Sequence, residues 1–254
     1  MSIRTNKYKV KNLIVPKHVL VSVFDKSGLL ELVQAVLYVN PDAMFYSTGG
    51  TEKKIIEALS VYADSIQIAD KGFVAAHYTS VELYTGAPEM EGGLVKTLHP
   101  KIHAGLLGER GNSAHEDYLQ NILPGPDEIP GVYFDVLVGN LYPFVSTVRA
   151  PDCTPEKARV NIDIGGPTMI RAAAKNWLSI AVVSDVGQYS KLIEDLLAKK
   201  GTDLEMRFGL MQDAFELICI YDLAIADYNS DLDYARDVRP MLDIEIENTE
   251  VNHG

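Results

Sequence analysis

The segment Ile162-Asp163-Ile164-Gly165-Gly166-Pro167-Thr168-Met169-Ile170-Arg171-Ala172-Ala173-Ala174-Lys175-Asn176 brings together an acid, a diglycine, a helix-start signal and a lysine. A diglycine lets backbone N–H groups approach a ligand with no Cβ in the way. Pro167 suits the first turn of a helix, where its missing donor is not needed. A helix amino terminus there would present unpaired N–H groups to an anion or oxyanion. Asp163 and Lys175 are the candidate proton-transfer groups. The alternative is a tight loop capping an ordinary helix, with Lys175 solvated.

Three further stretches carry residue types suited to binding. Thr48-Gly49-Gly50-Thr51 is neither a Walker A sequence nor GxGxxG. Its amides and hydroxyls could nest a phosphate, or it is simply a glycine turn. Lys26 would add a counter-charge, or sit solvated at a helix start. In Leu94-Val95-Lys96-Thr97-Leu98-His99-Pro100-Lys101-Ile102-His103, Lys96 and Thr97 could polarise a carbonyl or hold an anion. His99 and His103 are better read as hydrogen-bonding residues than as metal ligands: a third ligand is missing nearby, and Pro100 argues against His99 inside a regular helix. In Asn140-Leu141-Tyr142-Pro143-Phe144, Asn140 could read an amide or ring edge and Tyr142 could stack on a base, while Phe144 reads as packing. Neither a Ser-His-Asp order nor an activated cysteine context stands out.

These stretches need a scaffold. Apolar runs at 19–23, 43–47, 136–139 and 180–183 read as strands, and helical spacing covers 27–39, 51–59, 186–199 and 203–228. Residues 48–50 read as a turn. Strands alternating with helices imply an α/β protein with a mostly parallel sheet covered on both faces, followed by a C-terminal helical segment. In such sheets ligands bind outside the carboxyl ends of strands. The residues after 23, 47 and 139 then converge on one pocket.

The 254-residue chain has room for a sizeable core, with 47% hydrophobic and 23% charged residues. A net charge of −12 argues against a nucleic-acid partner but leaves room for a locally positive pocket. No apolar run is long enough for a membrane span. Pro16 and Lys17 break the stretch after a basic N-terminus, which makes a poor signal peptide. Cys153 and Cys219 lack CxxC or metal spacing, so a cytoplasmic location with reduced thiols is expected. The expected organisation is an extension over 1–18, a domain over 19–230 and an acidic, extended tail over 231–254.

Several motifs then coincide in order. Ser22-Val23-Phe24-Asp25-Lys26-Ser27-Gly28, Ser47-Thr48-Gly49-Gly50-Thr51, Thr85-Gly86-Ala87-Pro88-Glu89-Met90, Val95-Lys96-Thr97-Leu98-His99-Pro100, Asn140-Leu141-Tyr142-Pro143-Phe144 and the opening segment together resemble the IMP cyclohydrolase domain of the bifunctional purine-biosynthesis family, over roughly residues 19–228. The resemblance implies a methylglyoxal synthase-like fold with a twisted sheet. It implies closure of 5-formamidoimidazole-4-carboxamide ribonucleotide (FAICAR) to IMP and water, with no metal or other cofactor. It implies Lys96, Tyr142, Asp163 and Lys175 as the catalytic set. Asp163 and Lys175 would share the proton work, and the resemblance supplies their contact, since a helix between them would otherwise hold them apart. Lys96 and the amides near Ile164 and Gly165 would stabilise oxyanion character. Phe24, Asp25, Lys26, Thr48, Gly49, Gly50, Thr51, Leu94, Val95, Thr97, Gly139, Asn140, Ile164 and Gly165 would bind the nucleotide.

The chain departs from the family pattern at four places. Leu94 stands where the family usually has arginine, Ala87 where phenylalanine is usual, and Trp177 where histidine commonly follows Lys-Asn. Residues 65–77 read as an insertion. The loss of charge at Leu94 makes a nucleotide-binding or regulatory domain the second reading, and methylglyoxal synthase activity the third. The formyltransferase domain that usually follows in the family is absent from this sequence. The expectation is a stand-alone cyclohydrolase or a fragment, working with a separate formyltransferase, and a homodimer by analogy.

Overall fold

A computed structural model of the chain describes residues 7–88, 90, 96–124 and 129–242, with only the backbone at Asp70 and Lys96. The chain divides into two compact units, one of Met1–Tyr142 and Asp163–Cys219, the other of Pro143–Ile162 and Ile220–Gly254. This division cuts across the span 19–230.

In chain order the first unit begins β1 (His18–Val23), α1 (Leu29–Val39), β2 (Met44–Ser47), α2 (Gly49–Ser65), α3 (Asp70–His77), β3 (Tyr78–Ser80) and α4 (Val81–Thr85). It continues with α5 (Pro100–Leu107), α6 (Ser113–Asp117) and β4 (Val136–Asn140). Helices α7 (Phe144–Val148) and α8 (Pro155–Val160) belong to the second unit. The chain returns to the first through α9 (Gly165–Lys175), β5 (Ala181–Val183) and α10 (Tyr189–Lys199). Helix α11 (Leu204–Ser230) runs from the first unit into the second.

The sheet has five strands in the order β3-β2-β1-β4-β5, and every pairing is parallel. The α/β expectation therefore holds in a stricter form. Helix α1 packs with α2 and α10, while α9 packs with α5 and against β4 and β5. Right-handed crossovers put the first group on one face of the sheet and the second on the other. Strands buried on both faces need continuous apolar runs, and 19–21 and 136–138 supply them. On α1 the buried stripe is Leu29, Leu32, Val33, Val36 and Leu37, at helical spacing.

The structure corrects the sequence reading in several places. Gly49 and Gly50 are not a turn but the first residues of α2, which runs on to Ser65. Strand β3 was not expected: it has three residues, with the buried Thr79 in the middle, and lacks an apolar run. Within the stretch 65–77, Asp70–His77 form α3, which packs on α2 and is fastened where the His77 ring meets the Pro41 carbonyl at 2.8 Å. In place of an extended tail, Tyr234–Val238 and Arg239–Met241 form short helical turns, the first capped by the Asp233 carboxylate. The rest of the tail lies outside the described residues.

The segment before β1 is fastened to the first unit. Ile14 and Thr202 pair through reciprocal backbone bonds of 3.0 and 2.8 Å. Arg207 is fully buried, and its guanidinium donates to the carbonyls of Lys11, Asn12, Trp177, Leu178 and Thr202. Burial pushes its pKa down to about 10. In the second unit, Phe144 is buried against the rings of Tyr221 and Tyr228 at 6.2 and 6.0 Å, as its packing role predicted. Among the described residues no helix is long and apolar enough to cross a membrane.

Candidate active site

The strand order reverses between β1 and β4, which run side by side from separate halves of the sheet. A crevice opens outside their carboxyl ends at such a switch point. The register puts Val23 beside Asn140, so the residues that follow each strand meet there.

Asn140 holds the loop after β1. Its Oδ1 accepts the N–H groups of Phe24 and Asp25 at 2.7 and 2.9 Å, and its Nδ2 donates to the Asp25 carbonyl at 2.8 Å. Every one of these bonds is internal. Asn140 therefore shapes the loop after β1. Asp25 accepts the Ser27 N–H at 2.9 Å, which holds its carboxyl below the usual range. The Lys26 ammonium turns back onto the Phe24 carbonyl at 2.9 Å. The result is an exposed aromatic pair: Phe24 is 49% and Tyr142 51% exposed, with ring centroids 5.1 Å apart.

Helix α2 aims its amino end at the same crevice. Thr48 is its N-cap and makes no side-chain cap bond, which leaves the Gly49 and Gly50 amides without an internal acceptor. Its hydroxyl lies 3.4 Å from that of Ser22. Thr51 is buried, and its hydroxyl accepts from the Val23 N–H and donates to the Val23 carbonyl, at 3.2 and 3.3 Å. It therefore ties α2 to β1 and is not exposed to a ligand. Gly139 is within β4, close to Ile170.

The third wall is the start of α9. The Asp163 carboxylate accepts the Gly166 N–H at 2.9 Å and also receives the Gly165 amide. Burial raises the pKa of Asp163, and those two amides hold it back in part. The diglycine has a steric cause as well. A Cβ on Gly165 would stand 2.2 Å from the Thr97 hydroxyl, and one on Gly166 would stand 2.4 Å from the Asp163 carboxylate and 2.8 Å from Leu141. The expectation that the Gly165 amide serves an oxyanion is thus corrected: it faces Asp163. Ile164 is 57% exposed beside it.

Lys175 is the last residue of α9, exposed at the opposite end. The helix has 11 residues. At 1.5 Å per residue it spans roughly 16 Å, beyond the reach of one lysine side chain. Asp163 and Lys175 are not brought together within one chain, contrary to the contact that the resemblance implied. Thr97 stands at the site, but Leu94, Val95 and the Lys96 side chain lie outside the described residues.

Sequence reasoning missed two supports. Lys101 is buried in α5, donates to the Tyr84 carbonyl at 2.9 Å and lies 5.2 Å from that ring's centroid. Tyr189, at the start of α10, is buried beneath the loop after β1, with its ring against Gly28. An apolar-face tyrosine gives no pattern that marks it as a floor. His99 caps α5 by accepting the Lys101 N–H at 3.1 Å, just outside the helix that Pro100 opens. Burial lowers the pKa of His103, whose Nε2 has no partner among the described residues. Among the described residues no group of three or more His, Cys, Asp and Glu stands together.

Residues 173–252 match the family model described as "AICARFT/IMPCHase bienzyme". The chain is 40% identical over 228 residues to the "Bifunctional purine biosynthesis protein PurH" of Synechococcus sp. (strain CC9902), covering 88% of this chain and 38% of that protein. It is 44% identical over 207 residues to the protein of that name from Synechococcus sp. (strain WH7803), covering 81% of this chain and 35% of the relative. The chain thus spans little more than a third of the curated relatives it matches. The solved structure described as "Crystal structure of ForH" covers 84% of this chain and 97% of its own, with a TM-score of 0.63 and 22% identity, a likeness of fold. On the sequence matches, the chain resembles one part of the bifunctional purine biosynthesis proteins, and its residues 173–252 match the AICARFT/IMPCHase bienzyme family.

Proposed function

We propose that the chain catalyses the closure of FAICAR to IMP with release of water, a step of purine biosynthesis. The observation that carries this reading is the Asp163 carboxylate, half-buried and held by the amides of the diglycine beside Thr97 and Leu141, at the end of the sheet where Phe24 and Tyr142 pair. The family resemblance narrows the reaction class.

Ring closure joins two arms of one molecule, so holding them in a reactive rotamer supplies much of the acceleration. The amino end of α2 would take the ribose phosphate through the free amides after Thr48. Phe24 and Tyr142 would flank the base. The carboxamide nitrogen attacks the formyl carbon and its N–H proton passes to Asp163, the general base. The formyl oxygen takes a proton to become a hydroxyl; this hydroxyl takes a second proton and departs as water while the formamido nitrogen loses its proton, and the C=N bond of the closed ring forms. Thr97 and Lys96 would stabilise the developing oxyanion. Lys175 joins the proton transfer only where a second copy presents the carboxyl end of its own α9, which is the form in which a homodimer fits this reading. Transformylation would be supplied by a formyltransferase.

The test is to incubate purified protein with FAICAR and follow IMP formation against the uncatalysed rate. Acceleration supports the proposal. Binding of IMP without acceleration supports the regulatory reading instead, for which Leu94 in place of an arginine is the specific motive.

A further inference from the structure

A cavity of about 440 Å³ opens at the amino ends of β1 and β4, the rim opposite the candidate active site. This volume falls within the range typical of small-molecule sites. Strand β1 separates the two rims by roughly 15–20 Å. The floor is Asp135, which is buried just ahead of β4. Its Oδ2 accepts the N–H groups of Lys17 and His18, both at 2.8 Å, and its Oδ1 takes the Arg110 guanidinium at 2.6 Å. That carboxylate is fully engaged in holding the walls.

The remaining lining has a clear chemical bias. Lys11, Lys17 and Arg110 contribute three cations against the single carboxylate of Asp135, on a chain of net charge −12. Among the described residues no carboxylate holds the Lys11 or Lys17 ammonium group. Two lining residues carry buried donors without a hydrogen-bond partner among the described residues, Arg110 Nε and Tyr133 Oη. They belong to one stack, with the guanidinium carbon 5.2 Å from the Tyr133 ring centroid. The other walls are apolar, from Leu13, Ile14, Val15, Leu119 and Val132.

We propose that this cavity is a second binding site, for a small organic molecule with an apolar body and one phosphate or carboxylate group. The anion would pair with the Arg110 guanidinium and the two ammonium groups, while the body lies on the apolar wall. Nothing in this assignment rests on the cyclohydrolase reading, because none of these residues belongs to the crevice at the carboxyl rim.

The test is calorimetric titration of the full chain with phenyl phosphate, benzoate, inorganic phosphate and benzyl alcohol. Phenyl phosphate or benzoate should bind saturably at one site, and whichever binds more tightly identifies the head group. Inorganic phosphate and benzyl alcohol, each with half the chemistry, should bind more weakly. Lys17→Gln should weaken binding roughly tenfold, as loss of a charge-assisted bond predicts. Lys11→Gln should weaken it by a similar factor. Circular dichroism checks that both variants fold. Phe24→Ala, at the other rim, should leave the affinity unchanged. Two results overturn the proposal: no saturable binding of either anion up to about 10 mM, or binding lost in Phe24→Ala and unaffected by Lys17→Gln.

Discussion

At the amino end of α9 the Asp163 carboxylate takes two backbone amides and sits where a single added methyl would collide with it. At the carboxyl end Lys175 is exposed, and only its neighbour Asn176 is held, by the carbonyls of Leu106 and Gly108 at 2.8 and 3.2 Å. One end is half-buried and held by two amides; the other leaves its charged side chain in solvent. A carboxylate fixed in place by backbone amides is positioned to accept a proton, whereas an exposed lysine needs a partner surface before it can do comparable work. The two groups share one helix and one sequence motif, yet the helix keeps them apart.

The largest effect that would sharpen this contrast comes from Asp163→Asn. Turnover of FAICAR should fall by roughly 10²–10⁴, with IMP binding preserved. A variant that turns over like the parent would break the assignment. Gly166→Ala tests the packing that holds the carboxylate: the added Cβ meets Asp163 and Leu141, so turnover should drop, and urea unfolding should show a loss of about 1–3 kcal/mol.

The opposite end is probed by mixing. Lys175→Gln and Asp163→Asn chains, each inactive alone, should recover up to roughly a quarter of parental turnover when co-assembled, if sites form between copies. Absence of recovery with both variants folded and assembled places Lys175 outside the chemistry. A smaller effect is expected at the loop: Asn140→Ala removes three bonds to residues 24 and 25, which should cost about 1–3 kcal/mol and weaken IMP binding several-fold in a titration.

The smallest effect is a pH dependence of stability. Burial lowers the pKa of His18 and His103 in the folded chain, so unfolding takes up protons below the ordinary histidine value of 6.5, and stability should fall as the solution is acidified. Asp163 has the opposite sign: its raised pKa costs stability as pH climbs past 3.8. Urea midpoints at about pH 7.5 and about pH 5.5 isolate the histidine contribution. An unchanged midpoint would contradict it.

The sheet was legible where strands are continuous apolar runs, as at 19–23 and 136–139, because burial on both faces leaves little freedom of composition. It was illegible at β3, whose residues Tyr78, Thr79 and Ser80 have strand pairing but no apolar run. The Gly49-Gly50 pair suggested a turn, since glycine disfavours helix interiors, but the first turn of a helix tolerates it. The exposed rings of Phe24 and Tyr142 lie after β1 and β4, where the strand pattern places a crevice. The internal duties of Asn140 and Thr51 could not, because their partners lie 115 and 116, or 28, residues away in the chain. Nor did any motif mark Arg207, a lone cation within α11.

Arg207 has a consequence for how the chain is made. Its guanidinium grips the carbonyl of Lys11, 196 residues earlier. During synthesis at about 5–20 residues per second, the segment before β1 would emerge roughly 10–40 s before its clamp exists. Over that interval it has no fixed place, although β1 is the strand around which the sheet is assembled. The segment before β1 is therefore made long before it can be locked, which lengthens its exposure to chaperones and to wrong pairings.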